Sequence, residues 1–180
     1  MNLELSKKSV LITGGSKGIG LASAKKFVEE GAIVTIVARN ETALKQAVRE
    51  VAEIGGAVHT IQLDLSADDG VDKLREQLST IDVLVNCAGS IPGGGLDQID
   101  DRRWREGWEL KVYGYINTTR YALSSMMQRG SGAIVNIIGI AGAAPRYDYI
   151  CGSAANAALI SFTEAAGSYS TSKNVRVVGI

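Results

Sequence analysis

The sequence predicts an α/β fold built on a doubly wound, mostly parallel sheet with helices on both faces, giving three layers. Short runs of Val, Ile and Leu alternate with longer helical patterns from one end of the chain to the other, which is typical of strand-helix units. These runs are continuously apolar, as in strands that helices bury on both sides. A glycine-rich turn follows the first run, and such a turn between a strand and a helix indicates a sheet of the Rossmann type.

Each predicted strand is an apolar run, and most are followed by turn or polar residues. The six strands cover residues 9–13, 33–38, 57–63, 82–86, 132–138 and 175–180. The five helices cover residues 18–30, 41–54, 70–78, 102–128 and 149–166. The glycine-rich segment 90–95 follows the fourth strand and is predicted to be a loop that borders the ligand crevice. No linker or repeat divides the chain, so we expect residues 1–180 to form a single nucleotide-binding domain that ends within the sixth strand.

Composition excludes several classes of function. Lys and Arg number 19 and so do Asp and Glu, so there is no charge excess to attract nucleic acid or an acidic membrane surface. The most apolar window, residues 133–144, is short and contains Asn136, which argues against a membrane span. Only two cysteines occur and no secretory leader is apparent, so we expect a cytoplasmic protein. The single histidine, His59, lies in a strand-like run, and no metal site is indicated.

The turn after the first strand is the strongest functional signal in the chain. It runs Thr13-Gly-Gly-Ser-Lys-Gly-Ile-Gly20 with the spacing G-x-x-x-G-x-G. Glycines let the backbone turn sharply and approach phosphates closely. The helix that begins near Gly18 directs free N–H groups and its positive dipole end toward negative charge. This segment therefore predicts a seat for a dinucleotide pyrophosphate.

Several segments together resemble the short-chain dehydrogenase/reductase family. They are the turn at 13–20, Asp64-Leu65-Ser66, Asn86-Cys87-Ala88-Gly89, Ile134-Val135-Asn136-Ile137, and the Trp-containing helix that ends in Thr118-Thr119-Arg120. The resemblance runs from about residue 7 to residue 180 in the family's order. It implies a cofactor site, whose residues are Gly14, Ser16, Lys17, Gly18, Ile19, Gly20, Arg39, Asp64, Leu65, Asn86, Ala88 and Gly89.

The resemblance implies a separate role for each group of these residues. The pyrophosphate would be held by Gly14, Gly18, Ile19 and Gly20. Asp64 would accept a hydrogen bond from the adenine amino group, with Leu65 beside the ring. The adenosine ribose would be lined by Asn86, Ala88 and Gly89, which would also brace the central strands. Simpler interpretations remain open: Asp64 as a helix N-cap and Asn86 as a strand-end turn residue.

The end of the second strand favours NADP(H) over NAD(H). NAD sites of this type place an acid there to hold the ribose 2′-hydroxyl, but this strand ends Val37-Ala38-Arg39-Asn40. A guanidinium at Arg39 binds a 2′-phosphate bidentately, and Lys17 adds a second positive charge. Basic residues at these two positions mark NADP-preferring members of the family that the chain resembles. The alternative is that both are solvated surface charges.

The family's catalytic pattern is interrupted. The resemblance implies an Asn, a Ser, a Tyr and a Lys, and these positions fall on Lys111, Gly139, Gly152 and Asn156. None of the usual residues is present. A Y-x-x-x-K pattern occurs further on, at Tyr169, but it lies beyond the expected helix, in a polar run predicted to be a loop at the far end of the sheet.

Other side chains are candidates for the missing chemistry. Lys111 is long enough to reach the space that the two glycines leave, and Tyr149 (or Tyr147) could donate a proton, because an adjacent cation lowers the pKa of a phenol. Ser153 offers a further hydroxyl. The alternatives are that Lys111 extends to solvent and that Tyr149 packs at the start of its helix.

Three functions remain open from the sequence. The first is an NADP(H)-dependent oxidoreductase that acts on a small carbonyl or alcohol substrate with an atypical catalytic site. The second is a catalytically silent NADP(H)-binding sensor or assembly subunit, and the third is a remnant without a function of its own. The resemblance also implies a homo-oligomer that pairs through the helices at 102–128 and 149–166.

Overall fold

The computed structural model describes residues 3–180, so the first two residues of the predicted domain lie outside the described part. Six strands form one parallel sheet in the order β3-β2-β1-β4-β5-β6. The strands are β1 Ser9–Thr13, β2 Ile33–Ala38, β3 His59–Gln62, β4 Val83–Asn86, β5 Gly132–Asn136 and β6 Val175–Gly179. This order is that of a Rossmann-type sheet, and the predicted fold class is confirmed.

Helices cover both faces of the sheet. They are α1 Gly18–Glu29, α2 Glu41–Ala52, α3 Arg75–Thr80, α4 Asp101–Trp108, α5 Gly114–Arg129 and α6 Ile150–Ser170. One core cluster joins the strands to α1 and α2, and a second joins them to α3 and α5. The last helix, α6, packs along β6, and its Ala166 contacts the second cluster.

The strand register brings one set of residues to a single edge of the sheet. Thr13 at the end of β1 lies beside Val37 and Asn86, and Asn86 lies beside Asn136 at the end of β5. In open parallel sheets, ligands bind outside the carboxyl ends of the strands. The glycine turn and the segments that follow β2, β4 and β5 therefore face the same crevice.

The predicted helix over 102–128 is interrupted in the structure. Asp100 caps α4 by accepting a hydrogen bond from Arg103 N at 2.8 Å. A π-helical turn over Glu109–Tyr113 then separates α4 from α5. Wide turns of this kind are common at functional sites and change which side chains face the core. Lys111 lies in this turn.

The segment around Tyr169 is helical, so the predicted loop over 168–174 is wrong. α6 continues to Ser170, and a 3₁₀ turn covers Thr171–Lys173. Asn174 then takes a left-handed conformation and donates to Gly130 O at 2.7 Å, next to the start of β6. Tyr169 is 62% exposed and lies at the amino-terminal end of β6, away from the crevice.

The other differences concern the lengths of elements. β3 has four residues where seven were predicted, and β5 ends at Asn136 although Ile137 N and Ile138 N still donate across the sheet. The predicted helix over 70–78 consists of a 3₁₀ turn at Asp72–Leu74 followed by α3. Element ends vary because terminal residues leave the regular hydrogen-bond pattern one at a time.

Candidate cofactor and active site

The glycine turn after β1 is packed too closely for side chains. Gly14 has a φ of +68°, and a Cβ built there would lie 2.8 Å from Ala88 Cα. A Cβ at Gly20 would overlap the carbonyl of Gly14. The Thr13 hydroxyl accepts hydrogen bonds from Cys87 N at 3.1 Å and Ala88 N at 3.2 Å. These contacts fix the turn against the segment after β4.

The outer side of this turn is open. Gly18 has a φ of +55° and nothing lies within 4 Å of a Cβ built there. Lys17, Gly18 and Ile19 are exposed, and Ile19 is 60% exposed although it is apolar. Lys17 is the N-cap of α1 but makes no side-chain capping bond, so the first N–H groups of the helix face the opening. Ser16 is half-buried beside them. This open, backbone-lined cradle fits a pyrophosphate.

A pocket of about 590 Å³ lies beyond the end of β2. Its lining residues are Arg39, Asn40, Gln62, Leu63, Asp64, Ala67 and Lys73. Arg39 is exposed, and its guanidinium forms no hydrogen bond or ion pair with another residue in the range 3–180. Two of the predicted cofactor residues, Arg39 and Asp64, thus share one pocket.

Asp64 stabilises its own turn. One carboxylate oxygen, Oδ1, accepts hydrogen bonds from Ser66 Oγ at 2.6 Å and from Ser66 N at 2.9 Å. These bonds hold the pKa of the Asp64 carboxyl below its usual value, with a smaller contribution from Arg39. Leu65 is buried and 6% exposed. The carboxylate is therefore charged at neutral pH, and it caps a turn rather than a helix.

Asn86 is the centre of a buried polar network. Its side chain donates to Asn136 Oδ1 at 2.9 Å and to Thr119 Oγ1 at 3.2 Å, and accepts from the Thr118 hydroxyl at 2.8 Å. Asn136 in turn donates to Thr163 at 2.9 Å. The network joins β4 and β5 to α5 and α6. The amide of Asn86 is fully buried and faces these partners.

Three of the positions where the catalytic pattern breaks are joined by two hydrogen bonds. Asn156 Oδ1 accepts from Gly139 N at 2.8 Å, and Asn156 Nδ2 donates to Gly152 O at 2.8 Å. Asn156 is 2% exposed. Its amide ties the end of β5 to α6 and leaves neither end free for a ligand.

Tyr149 fills the space beside Gly152. Its ring lies where a Cβ at Gly152 would project, so the expectation of an open gap at that glycine is wrong. Within residues 3–180 its hydroxyl forms no hydrogen bond. Burial raises the pKa of Tyr149, and the phenol is therefore a protonated donor at neutral pH. The expected lowering of this pKa by a neighbouring cation does not occur.

Lys111 contacts a different tyrosine. Its Nζ donates to Ile137 O at 2.6 Å and to Tyr115 Oη at 3.0 Å, and Tyr115 also donates to Ile137 O at 3.1 Å. Neither an ion pair nor a hydrogen bond joins Lys111 to Tyr149 in the described chain. Burial lowers the pKa of Lys111 to about 8, and burial raises the pKa of Tyr115.

Ser153 and Tyr147 both stabilise the segment before α6. The Ser153 hydroxyl accepts from Arg146 N at 3.0 Å and donates to Arg146 O at 3.3 Å, and the side chain is buried. Tyr147 donates to Asp97 at 3.3 Å and is mostly exposed. Gly94 N donates to Asp148 O at 2.8 Å, so the glycine-rich loop is joined to the segment that carries Tyr149. These contacts favour a positioning role for Ser153.

Sequence reasoning missed the partners of the central side chains. Tyr115 and the Ile137 carbonyl surround Lys111, and Thr118, Thr119 and Asn136 surround Asn86. One signal was available: two adjacent threonines interrupt the apolar face of a long helix, and buried polar residues require partners. No feature of the sequence predicted the π-helical turn.

No helix of the described chain is both long and apolar enough to cross a membrane. Among residues 3–180, no group of three or more His, Cys, Asp or Glu side chains is placed to hold a metal ion.

The comparisons with known proteins agree on a family. The model of the short chain dehydrogenase family matches residues 8–180, and the chain belongs to that family. It is 34% identical over 181 residues to the uncharacterized oxidoreductase YvrD of Bacillus subtilis, covering 98% of this chain and 68% of YvrD. It is 35% identical over 185 residues to the 3-oxoacyl-acyl-carrier-protein reductase FabG of Chlamydia muridarum, covering 98% and 73%.

Solved structures with different cofactors share the fold. L-sorbose reductase from Gluconobacter frateurii, complexed with NADPH and L-sorbose, has a TM-score of 0.91 at 32% identity. That match covers 99% of this chain and 70% of the reductase. An NAD+-bound xylitol dehydrogenase has a TM-score of 0.88 at 25% identity, covering 98% and 70%. The chain is thus an oxidoreductase-type member of the family, and relatives of both cofactor types share its fold.

Proposed function

We propose that this protein is an NADP(H)-dependent oxidoreductase that interconverts a small carbonyl compound and the corresponding alcohol. The observation that carries the proposal is the pairing of two features at one edge of the sheet. An open glycine cradle follows β1, and a pocket with a free guanidinium follows β2. The first suits a pyrophosphate and the second a phosphate on the adenosine ribose.

The cofactor residues divide by chemistry. The glycine turn over residues 14–20 would hold the pyrophosphate through N–H groups that follow Gly14, whose own N–H donates to Val37 O at 2.8 Å. Arg39 with Lys17 would bind the 2′-phosphate. Asp64 has its second carboxylate oxygen, Oδ2, without a partner in the described chain, and would accept from the adenine amino group. When bound, NADP(H) supplies or accepts the hydride; the proton must come from the protein.

Tyr149 is the proposed source of that proton. Its ring occupies the space beside Gly152, its hydroxyl is free, and its raised pKa keeps it protonated. Proton donation to a developing alkoxide requires a group that is protonated at the working pH. Ser153 positions Tyr149 through Arg146. Lys111 places a positive charge at the end of β5, where it lowers the energy of negative charge that develops nearby.

The test is turnover with a panel of small aldehydes and ketones, followed as NADPH oxidation. For any substrate that the wild-type protein reduces, we expect Tyr149→Phe to lower kcat about a hundredfold, because a positioned proton donor contributes on that order. NADPH affinity should remain unchanged. Tyr147→Phe is the matched control and should retain turnover. A Tyr149→Phe protein with full turnover would contradict the assignment.

A catalytically silent NADP(H)-binding sensor or assembly subunit is the second candidate. The arrangement of Asn156 favours it, because both ends of this amide are bonded within the protein. The contact expected between Lys111 and Tyr149 is also not formed. Tight NADPH binding without turnover on any carbonyl in the panel would support this candidate over the first.

We further propose that the protein is a cytoplasmic homo-oligomer formed from a single domain. Its two cysteines, Cys87 and Cys151, are both free, which suits a reducing compartment. On α6, Ala157 is exposed and Ala154 and Ala158 are half-buried. Small outward-facing residues allow close approach of a second helix. Ala155, by contrast, is fully buried against the protein's own core.

A further inference from the structure

The Lys111 amine is surrounded by neutral groups. Its hydrogen-bond acceptors are the Ile137 carbonyl and the Tyr115 hydroxyl. Within the described residues no carboxylate lies at ion-pair distance from Nζ. The thiol of Cys87 is the one titratable group that acts on the amine electrostatically, and burial raises the pKa of that thiol, so it is uncharged at neutral pH. No anion holds the amine in its charged form.

The amine nevertheless faces the crevice. Lys111 is only half-buried, and its Cδ lies 2.8 Å from where a Cβ on Gly89 would stand. Gly89 follows β4 and Gly139 follows β5, and both are exposed. The end of the lysine therefore lies between the exposed Gly89, which carries no side chain, and the carbonyl of Ile137. A small molecule that enters the crevice meets little steric obstruction there.

We propose that Lys111 is a nucleophile that condenses reversibly with aldehydes and unhindered ketones to form an imine. This site requires no nucleotide, and so goes beyond the proposed function and does not rest on it. Desolvated lysines without a counter-ion are the ones that proteins use for such chemistry. Small carbonyl compounds are the expected partners, because the lysine is half-buried beside the exposed Gly89.

The condensation balances without any oxidant or reductant. The lone pair of neutral Nζ adds to the carbonyl carbon, the π electrons move to oxygen, and a proton moves from nitrogen to that oxygen, giving a carbinolamine. The C–O bond then breaks, the oxygen leaves as water with one further proton from nitrogen, and a C=N bond forms. Tyr115, 3.0 Å from Nζ, is placed to relay the proton.

The groups that face the amine set its reactivity with pH. Tyr115 comes from α5, Cys87 follows β4, and the Ile137 carbonyl follows β5, while Asn156 on α6 is uncharged. With a pKa of about 8, about a tenth of the amine is neutral near pH 7, against less than about one part in a thousand for a solvated lysine.

The experiment uses the full chain without nucleotide. The protein is incubated near pH 7 with propionaldehyde and sodium cyanoborohydride, which reduces the imine to a stable secondary amine, and every lysine is followed by peptide mass spectrometry. We expect Lys111 to be labelled at least about tenfold faster than the exposed Lys173, with this ratio falling as the pH is raised. Labelling of Lys111 no faster than that of Lys173 would overturn the proposal.

A substitution of Lys111 provides a second test of the proposal. Lys111→Met should remove the fast-labelled site and leave the labelling of Lys173 unchanged. If this variant does not fold, the comparison of the two lysines within the wild-type protein still decides. Because no nucleotide is present, failure of the labelling and failure of NADPH-linked turnover are independent outcomes.

Discussion

At the scale of single residues, Lys111 is the most unusual group in the molecule. A partly buried ammonium without a carboxylate partner costs free energy, since neither Ile137 O nor Tyr115 Oη fully replaces water. The lowered pKa measures this cost. It amounts to at most about 3 kcal/mol below pH 8, and partial exposure of the amine reduces it.

This cost makes stability depend on pH. The pKa of Lys111 is about 8 in the folded state, below the 10.5 of a solvated lysine, so the folded state binds fewer protons between these values. Its contribution to stability is therefore lowest below pH 8 and rises as the pH approaches 10. We expect the unfolding free energy of the wild-type protein to gain about 1–2 kcal/mol relative to Lys111→Met between about pH 7 and about pH 9.5.

Urea denaturation of both proteins at the two pH values measures this difference, and all other titrating groups cancel in the comparison. Parallel pH dependence of the wild-type protein and Lys111→Met would show that the amine is not desolvated. The comparison is independent of catalysis, so it holds for a silent protein as well as for an enzyme.

The residue types predicted which functional groups lie near the site, but they did not predict which of these groups are in contact. The sequence placed Lys111 and Tyr149 together because Lys111 occupies one of the family's catalytic positions and Tyr149 lies three residues before another, Gly152. Spacing along a chain does not fix where a π-helical turn rotates a side chain, and here Lys111 contacts Tyr115, four residues along the same segment. Asn86 was easier to predict, because it follows a buried strand and polar side chains there must find partners.

At the scale of elements, the glycine turn after β1 contains one glycine that the fold requires and another that the ligand requires. Gly14 is pressed against Ala88, whereas Gly18 has the same sign of φ but open space around it. Both positions resist a side chain for backbone reasons, at about 1–2 kcal/mol each. Only Gly14 also incurs a backbone overlap.

The two substitutions should therefore behave differently. Gly14→Ala should destabilise the fold by more than about 2 kcal/mol, since overlap adds to strain. Gly18→Ala should cost about 1 kcal/mol yet lower NADPH affinity at least about tenfold, because its Cβ would project into the cradle. Gly130→Ala is the matched control, with a φ of +68° and open space at the end of α5. Thermal melts and NADPH titrations of all three variants measure both effects.

In the control, stability should fall as in Gly18→Ala while NADPH affinity stays at the wild-type value. Full NADPH affinity in Gly18→Ala would mean that the cradle does not receive the pyrophosphate.

Element types were largely predictable from the sequence and element ends were not. Apolar runs predicted the positions of all six strands, most clearly for β1 and β4, which are almost wholly buried in the middle of the sheet. The edge strand β3 is mostly exposed, and its predicted bounds were the least accurate. The long pattern over 102–128 concealed a break, because no proline or loop separates α4, the π-helical turn and α5. The polar run after Ser168 suggested a loop, but an exposed helix end is also polar, and here α6 continues to Ser170.

At the scale of the whole molecule, oligomerisation is the open prediction. If the exposed face of α6 pairs with a second copy, sedimentation equilibrium should show a dimer or tetramer. Ala157→Arg should shift the population toward monomer, because a long charged side chain prevents close helix approach. Ala52→Arg, the same change at an exposed position on α2, controls for charge. A single monomeric species for the wild-type protein at high concentration would contradict the prediction.

The central claim is that the two sites at the strand ends bind NADP(H) as one ligand. The most direct test is a calorimetric titration of the purified chain with NADPH and with NADH. The titration is repeated on Arg39→Ala and on the control Arg49→Ala. In the described part of the chain, the guanidinium of Arg49 bonds only to Gln46, on α2. We predict that NADPH binds at least about tenfold more tightly than NADH, and that Arg39→Ala loses about tenfold in NADPH affinity, as expected for a charged hydrogen bond. NADH affinity should change less than about twofold. Equal affinity for the two nucleotides, or undiminished NADPH binding by Arg39→Ala, would contradict the account.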